Sequence, residues 1–247
     1  MRLTVLGSGD AFGAGGRLQA AFHFSDGASQ ILLDCGVTSM IGLHRAGLAS
    51  NDVSAIYLSH LHGDHFGGLP WWLLDAQHVS RRTTPLLIAG PPGTEARFVA
   101  AAEALYPGST KVPRRFDLRF SEYTIGSPQQ IGPATVTARE VRHPSGAPSC
   151  ALRLTFAGKE IGYSGDTEWV DALVPTAAGA DLFLCECYAY GKPVPYHLDW
   201  DTIDAHLPEL TARQVLLTHM NPAMLAQSKT LSRPRVTFAH DGLVLDF

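Results

Sequence analysis

The sequence is poor in the features that mark secreted, membrane-bound or nucleic-acid-coating chains. It has four cysteines in 247 residues, at Cys35, Cys150, Cys185 and Cys187, with no framework spacing. A disulfide scaffold is excluded, and the thiols read as reduced and mostly packed in the core. No apolar run approaches the length of a membrane span. The opening "MRLTVLGSG" enters a strand pattern directly, without the apolar core of a signal peptide, so the expected location is the cytoplasm. Charge is sparse as well: 17% of residues are charged and the net charge is −4. No run of like charge supplies the basic stripe that would wrap a long nucleic acid, although a short nucleotide substrate is compatible with this balance. Low-complexity tracts, repeats and long linkers are missing too, and a single domain over residues 1–247 is the expectation.

What is present is a well-buried core in prospect, with 45% hydrophobic residues, and a series of short apolar runs. "LTVLG", "QILLDCG", "SAIYLSH", "PLLIAG", "ALRLTF", "DLFLCEC", "QVLLTH" and "RVTFAH" are rich in β-branched residues. Several are apolar at consecutive positions, as in strands covered on both faces. Between them lie helical stretches, the clearest over Thr94–Gly108, with Thr94 as its expected N-cap and Pro107–Gly108 as its stop. "PWWLLDAQHV" and "DTIDAHLPEL" are shorter helical segments. The Asp-Gly pair in "AHDGLVLDF" predicts a two-residue hairpin. The class is α/β or α+β.

Several strands run out at ligand-type residues: "YLSHLHGDH" at histidines, "GYSGDT" at an aspartate, "LLTHMN" at a histidine. Such residues gather at one rim of a layered sheet, where a rigid scaffold can hold a reaction site. The densest cluster is "SHLHGDHFGG". His60 and His62, two apart, project to one side of an extended segment. Gly63 then permits a reversal, and Asp64 and His65 follow where a helix can begin. The pattern offers two histidines to one metal ion and an Asp-His pair to a second. Imidazole with carboxylate suits zinc, and also manganese or iron. His143 in "VRHPSG", Asp166 and His219 are further candidates, each with an ordinary structural reading when taken singly.

His60-x-His62-x-Asp64-His65 followed by His143, Asp166 and His219 resembles the metallo-β-lactamase superfamily, from "LGSGDAF" through "LLDCG" to the last histidine. The resemblance implies an αββα sandwich with a dinuclear metal site at one edge. By it, His60, His62 and His143 hold the first ion, Asp64, His65 and His219 the second, and Asp166 bridges both. Two adjacent divalent ions need an anionic bridge, which Asp166 and a shared hydroxide would supply, and coordination lowers the pKa of water enough to make a nucleophile near neutral pH. Hydrolysis is the chemistry this implies, with two Zn2+ as the expected cofactors.

Within that superfamily the chain looks most like the ribonuclease Z-like phosphodiesterases. Their order of "GDT", a strand-end glutamate, a loop histidine and "LTH" is matched here. The resemblance implies that Glu186 and His197 pair and that His197 protonates the leaving oxygen; Asp64 joins them as a catalytic residue. A carboxylate that fixes an imidazole and raises its pKa makes a usable general acid. The short step from His143 to Asp166 leaves no room for the protruding arm of transfer-RNA processing relatives. "HLDWDTI" also departs from the small-residue pattern usual after the loop histidine. A small phosphodiester or nucleotide is therefore the expected substrate. Rival readings are an acyl, lactone or sulfate-ester hydrolase, a transfer-RNA 3′ processing ribonuclease Z, and a non-catalytic metal-binding accessory protein. A homodimer is implied by the resemblance alone.

Other positions carry secondary expectations. The glycine-rich "GSGDAFGAGGR" reads either as a phosphate cradle with Arg17 meeting the charge, or as a tight turn. Arg17, Tyr190 and Lys192 are the expected substrate-binding residues. Trp71 and Trp72 read as core rather than a base-stacking wall. Asp34 reads as an acid that orients a neighbouring ligand. Cys185 and Cys187 share one face of their strand and Glu186 takes the other.

Overall fold

Alternation decides which way each strand faces, and the two resulting faces build three layers of core. In the computed structural model, which describes residues 1–247, the first sheet contains β1 (Arg2–Gly7), β2 (Ala21–Ser25), β3 (Gln30–Leu33), β4 (Val53–Tyr57), β5 (Leu86–Gly90) and β6 (Leu118–Glu122). The second contains β7 (Pro128–Ile131), β8 (Ala134–Val141), β9 (Ser149–Phe156), β10 (Lys159–Tyr163), β11 (Leu182–Glu186), β12 (Gln214–Thr218) and β13 (Val236–Phe238). The last strand, β14 (Val244–Asp246), returns to the first sheet beside β1. The orders are β14-β1-β2-β3-β4-β5-β6 and β13-β12-β11-β10-β9-β8-β7. Leu3, Val5, Phe22, Phe24, Ile31, Leu33 and Tyr57 from one sheet meet Leu152, Leu154, Phe156, Tyr163, Leu182 and Leu184 from the other. The residues of opposite parity, such as Leu32 and Ile56, turn outward and are covered by helices.

The helices are α1 (Ser39–Arg45), α2 (Gly63–Phe66), α3 (Leu69–Leu74), α4 (Thr94–Leu105), α5 (Leu173–Ala177), α6 (Trp200–His206) and α7 (Pro222–Gln227). Leu43, Leu69, Trp72 and Phe98 cover the first sheet, and Leu173, Trp200, Ile203 and Met224 cover the second. The αββα sandwich follows, two mixed sheets faced on both outer sides by helices. Trp72 is core, as its sequence context indicated, whereas Trp71 stays on the surface with its ring edge-on to Tyr106, the residue that follows α4. Cys185 and Cys187 pack in the outer helix layer, on the opposite parity from Glu186.

Strand direction places the site. β3, β4 and β5 are parallel, as are β10, β11 and β12. β8 is antiparallel to β9, which is antiparallel to β10, so β8 points the same way as β10. The segments after β3, β4, β8, β10, β11 and β12 therefore leave at one rim. They carry Asp34, His60 to His65, His143, Asp166 and His219, and Glu186 is the last residue of β11 at the same rim.

Two local expectations are corrected. The N-cap of α4 is Gly93, at φ 92°, rather than Thr94. Glycine adopts the left-handed turn freely, and the Thr94 hydroxyl donates instead to the Pro91 carbonyl at 2.7 Å. The Asp-Gly pair is not the tip of a hairpin, because β13 pairs with β12 in one sheet and β14 with β1 in the other. Asp241 is held at this crossing by accepting from the Ser8 amide, the Ser8 hydroxyl and the Leu18 amide. The pair still forms a two-residue turn, closed by the Leu243 amide on the His240 carbonyl at 3.1 Å, but the turn passes the chain from one sheet to the other.

Gly36 in "LLDCG" allows a close approach. A Cβ there would lie 2.3 Å from the Asp64 carbonyl oxygen, so the loop after β3 and the start of α2 touch only because the side chain is absent. Gly36→Ala is expected to cost about 1–3 kcal/mol through overpacking and to displace Asp64 and His65. Thermal denaturation together with metal titration checks both effects.

Candidate metal centre

The rim loops bring the ligand-type side chains into three adjoining groups: His60, His62 and His143; Asp64, His65, Asp166 and His219; and Asp166, Glu186, His197 and His219, with the donor atoms of each group within 4.8 Å of one another. In the first, His143 Nε2 stands 2.9 Å from His62 Nδ1, and His60 Nε2 is buried with no hydrogen-bond partner. Burial, with charge on His65 adding to it, holds the His60 pKa well below its usual value; burial and His143 lower that of His62. Both imidazoles are thus neutral at pH 7 and present lone pairs.

In the second group His65 Nε2 lies 3.4 Å from Asp64 Oδ2 and 3.3 Å from Asp166 Oδ1. His219 Nε2 lies 3.2 Å from Asp64 Oδ2 and 3.3 Å from Asp166 Oδ2. Burial opposes charge on His219, but Asp166, Asp64 and Glu186 outweigh it and raise its pKa to about 10. His65 is raised for the same reason by Asp166, Asp64 and Asp34. Burial likewise opposes ionisation of Asp166, yet His219 and His65 hold its pKa well below the carboxylate range. Imidazole nitrogens converging on one another and on carboxylates at 2.9–3.4 Å, with an orphaned buried imidazole nitrogen on His60, form a donor set that fits divalent metal ions.

The ligand rings are oriented from behind. Asp34, fully buried and at φ 56°, accepts from His65 Nδ1 at 2.6 Å, the Tyr163 hydroxyl at 2.7 Å, and the Ser59 amide and hydroxyl at 2.7 and 2.8 Å. With Nδ1–H donated to Asp34, Nε2 of His65 is the nitrogen that faces the cluster. His143 Nδ1 donates to the Tyr196 carbonyl at 3.1 Å, which turns its Nε2 inward in the same way. Partners of this kind typically tune metal affinity. Asp34→Ala is expected to weaken the affinity for the more tightly held ion by about 10- to 100-fold, read by competition with a chromophoric chelator.

Glu186 and His197 are brought together: His197 Nδ1 hydrogen-bonds Glu186 Oε1. Glu186 Oε2 accepts from the Thr167 amide at 2.8 Å and the Leu198 amide at 3.2 Å. Burial disfavours charge on His197, but the hydrogen bond and charge of Glu186, with Asp166 behind, raise its pKa. The His197 ring lies 4.9 Å from that of His143 and 4.6 Å from that of Tyr188. Sequence reasoning missed a second contact of Glu186, whose Oε1 also stands 3.5 Å from His219 Nδ1. One carboxylate thus bonds the loop histidine and stands beside a cluster histidine. The local spacing of Glu186 carries no signal of it, because the pairing arises from β11 and β12 lying side by side.

The substrate-binding candidates are less converged. Arg17 Nη1 donates to the Ala239 carbonyl at 2.7 Å and approaches the Ser8 hydroxyl at 3.3 Å, so its guanidinium holds the loop to the end of the second sheet. The glycine-rich segment is a turn folded on Asp10, whose carboxylate accepts from the Phe12 and Ala14 amides. The Gly9, Gly13, Gly16 and Arg17 amides are also bonded within the segment, which removes most of the donors a phosphate cradle would use. Tyr190 and Lys192 are exposed on the loop between β11 and His197. Between His143 and Asp166 the chain is filled by the β9–β10 pair, with no protruding arm. No helix is long and apolar enough to cross a membrane.

Comparison with known proteins places this geometry. The family model described as Anti-Pycsar protein Apyc1 matches residues 1–244. Uncharacterized protein Rv1339 of Mycobacterium tuberculosis is 32% identical over 254 residues, covering 99% of this chain and 88% of that protein. Ribonuclease Z of Ignicoccus hospitalis is 31% identical over 226 residues, covering 75% of this chain and 74% of that protein. The crystal structure of the metallo-β-lactamase-fold protein YhfI from Bacillus subtilis superimposes with a TM-score of 0.78 at 24% identity, over 99% of this chain and 98% of that one.

Proposed function

The chain belongs to the Anti-Pycsar protein Apyc1 family, within the ribonuclease Z-like branch of the metallo-β-lactamase fold, and from that membership and the geometry of its site we propose that it is a dinuclear-zinc phosphodiesterase acting on a small phosphodiester or nucleotide. The observation that carries this reading is the Glu186–His197 pair beside the metal-ligand cluster. A phosphodiester expels an alkoxide, which is a poor leaving group unless a proton reaches it. A buried carboxylate on Nδ1 with Nε2 free of protein partners is the arrangement that delivers one. The ribonuclease Z named among its relatives supports phosphoryl chemistry over acyl chemistry.

His60, His62 and His143 would hold one ion, and Asp64, His65 and His219 the other, with Asp166 shared. Bound divalent ions supply Lewis acidity and lower the pKa of water at the site. The chain's own residues do the rest. Asp34 and the Tyr196 carbonyl fix His65 and His143 in the tautomers that face the ions. Glu186 fixes His197 and stabilises its imidazolium, and His197 Nε2 passes its proton to the leaving oxygen. Tyr190 and Lys192, on the exposed loop before His197, would meet the part of the substrate beyond the phosphate. Arg17, engaged with Ala239, is assigned to holding the loop.

Zinc is favoured by the histidine-rich donor set, and the cytoplasm and a homodimer complete the proposal. Light scattering of the purified protein tests the dimer. The function is tested by assaying bis(p-nitrophenyl) phosphate, cyclic nucleotides, a lactone and an aryl sulfate side by side on the zinc-loaded protein. The phosphodiesters should be hydrolysed with the higher kcat/KM. Preference for the lactone or the sulfate would replace this reading with an acyl or sulfate-ester hydrolase.

A further inference from the structure

The loop that carries His197 is held by a carboxylate the mechanism above does not use. Tyr196 sits at φ 67°, a left-handed conformation that a residue with a Cβ adopts only under constraint. Its carbonyl is held by His143 Nδ1 at 3.1 Å, and its amide donates to Glu168 Oε2 at 3.2 Å. The other oxygen of Glu168 accepts from Arg142 Nη1 at 2.7 Å. The backbones of these two residues are also joined, the Glu168 amide donating to the Arg142 carbonyl, and the Arg142 amide donates to the hydroxyl of the neighbouring Thr167. Glu168 therefore ties three rim loops together: the one with His143, the one with Asp166 and the one with His197. On the far side of His197, the Leu198 amide is pinned to Glu186.

We propose that Glu168 is a positioning residue for the proton donor. It locks the Tyr196 peptide in its left-handed conformation and thereby sets where His197 Nε2 meets the leaving oxygen. Glu186 orients the imidazole ring, and Glu168 fixes the backbone from which the ring projects. Glu168 touches none of the reacting atoms. Taken only as a partner of Arg142, it would be an ordinary exposed ion pair of small consequence; the bond to the Tyr196 amide gives it a second role. The inference rests on the reading of His197 as general acid.

A displaced proton donor harms a reaction in proportion to its need for a proton, and that separates positioning from general loss of structure. In metal-loaded Glu168→Ala, kcat for a cyclic nucleotide, which expels an alkoxide, should fall by about 10- to 100-fold. Turnover of bis(p-nitrophenyl) phosphate, whose leaving group needs no proton, should fall much less, by at most about fivefold, the share caused by a looser Tyr196 carbonyl on His143. Glu168→Gln keeps an oxygen that can accept from the Tyr196 amide and should restore most of the loss. Hydrogen exchange at the Tyr196 amide should speed up in Glu168→Ala, in metal-free and metal-loaded protein alike. Equal losses on both substrates, or unchanged exchange at Tyr196, would overturn the proposal. His197→Ala is assayed alongside. If it discriminates between the substrates and Glu168→Ala does not, the positioning role alone fails. If His197→Ala does not discriminate either, the general-acid reading fails and the positioning role goes with it.

Discussion

His197→Ala is expected to lower kcat for a phosphodiester with an alkoxide leaving group by about 10²- to 10⁴-fold, the range that general acid catalysis typically contributes, while leaving the metal content unchanged. The magnitude follows from what the imidazole has to do. Its Nδ1 is bound to Glu186 and its Nε2 has no protein partner, so the proton it can release points away from the fold. The side chain is largely shielded, at 20% exposure, and bulk water is a poor substitute for a donor in that position. With p-nitrophenolate as leaving group the loss should shrink to about tenfold or less, because that anion departs without help. Steady-state kinetics on the two substrates, with elemental analysis of each preparation, makes the comparison. Full activity of the variant on the alkoxide substrate would remove His197 from the mechanism.

Asp166→Asn is expected to have the second large effect. Asp166 is buried between His65 and His219, and the amide keeps its shape while removing the charge those two imidazoles face. Activity should fall by about 10²- to 10³-fold or more, as for loss of a preorganised electrostatic group, and bound metal should drop by at least one ion per chain. The metal-free proteins provide an independent reading. In the wild type His219 has a folded-state pKa of about 10 against an ordinary value of 6.5, so between those limits the native state binds the extra proton. Its contribution to stability is complete below about pH 6.5 and is lost as pH rises towards 10. The melting temperature of chelated wild-type protein should fall across that window, and the slope should flatten in Asp166→Asn. A slope identical in the two proteins would show that Asp166 does not face His219 as described.

The sequence makes some of this legible and hides the rest for a physical reason. The strands that end in ligands could be read because an apolar run meeting His or Asp has few packing explanations, and "SHLHGDH" concentrates those residues within one turn and its flanks. The parity of "LCEC" was enough to send Cys185 and Cys187 to the helix layer and Glu186 to the inner side. β8, by contrast, alternates apolar and half-exposed residues, and β6 and β7 are edge strands with little apolar content. None of them stands out as a run. The contacts of Glu186 with His219, of Glu168 with Tyr196 and of Asp241 with Ser8 join segments that only strand order brings together. The assumed Asp-Gly hairpin failed on the same ground, since a local turn signal does not say to which sheet the next strand will go. Arg17 illustrates the converse case: a cation beside a glycine-rich loop suggests a phosphate partner, and a backbone carbonyl across the fold claims it.

The central claim is that these rim residues hold two metal ions, and the most direct test is to count them. Protein loaded with zinc, freed of excess metal by gel filtration and analysed by mass-spectrometric elemental analysis should retain about two ions per chain, with phosphodiesterase activity lost on chelation and restored by zinc. Fewer than about one tightly bound ion per chain, with activity indifferent to chelator, would contradict the account.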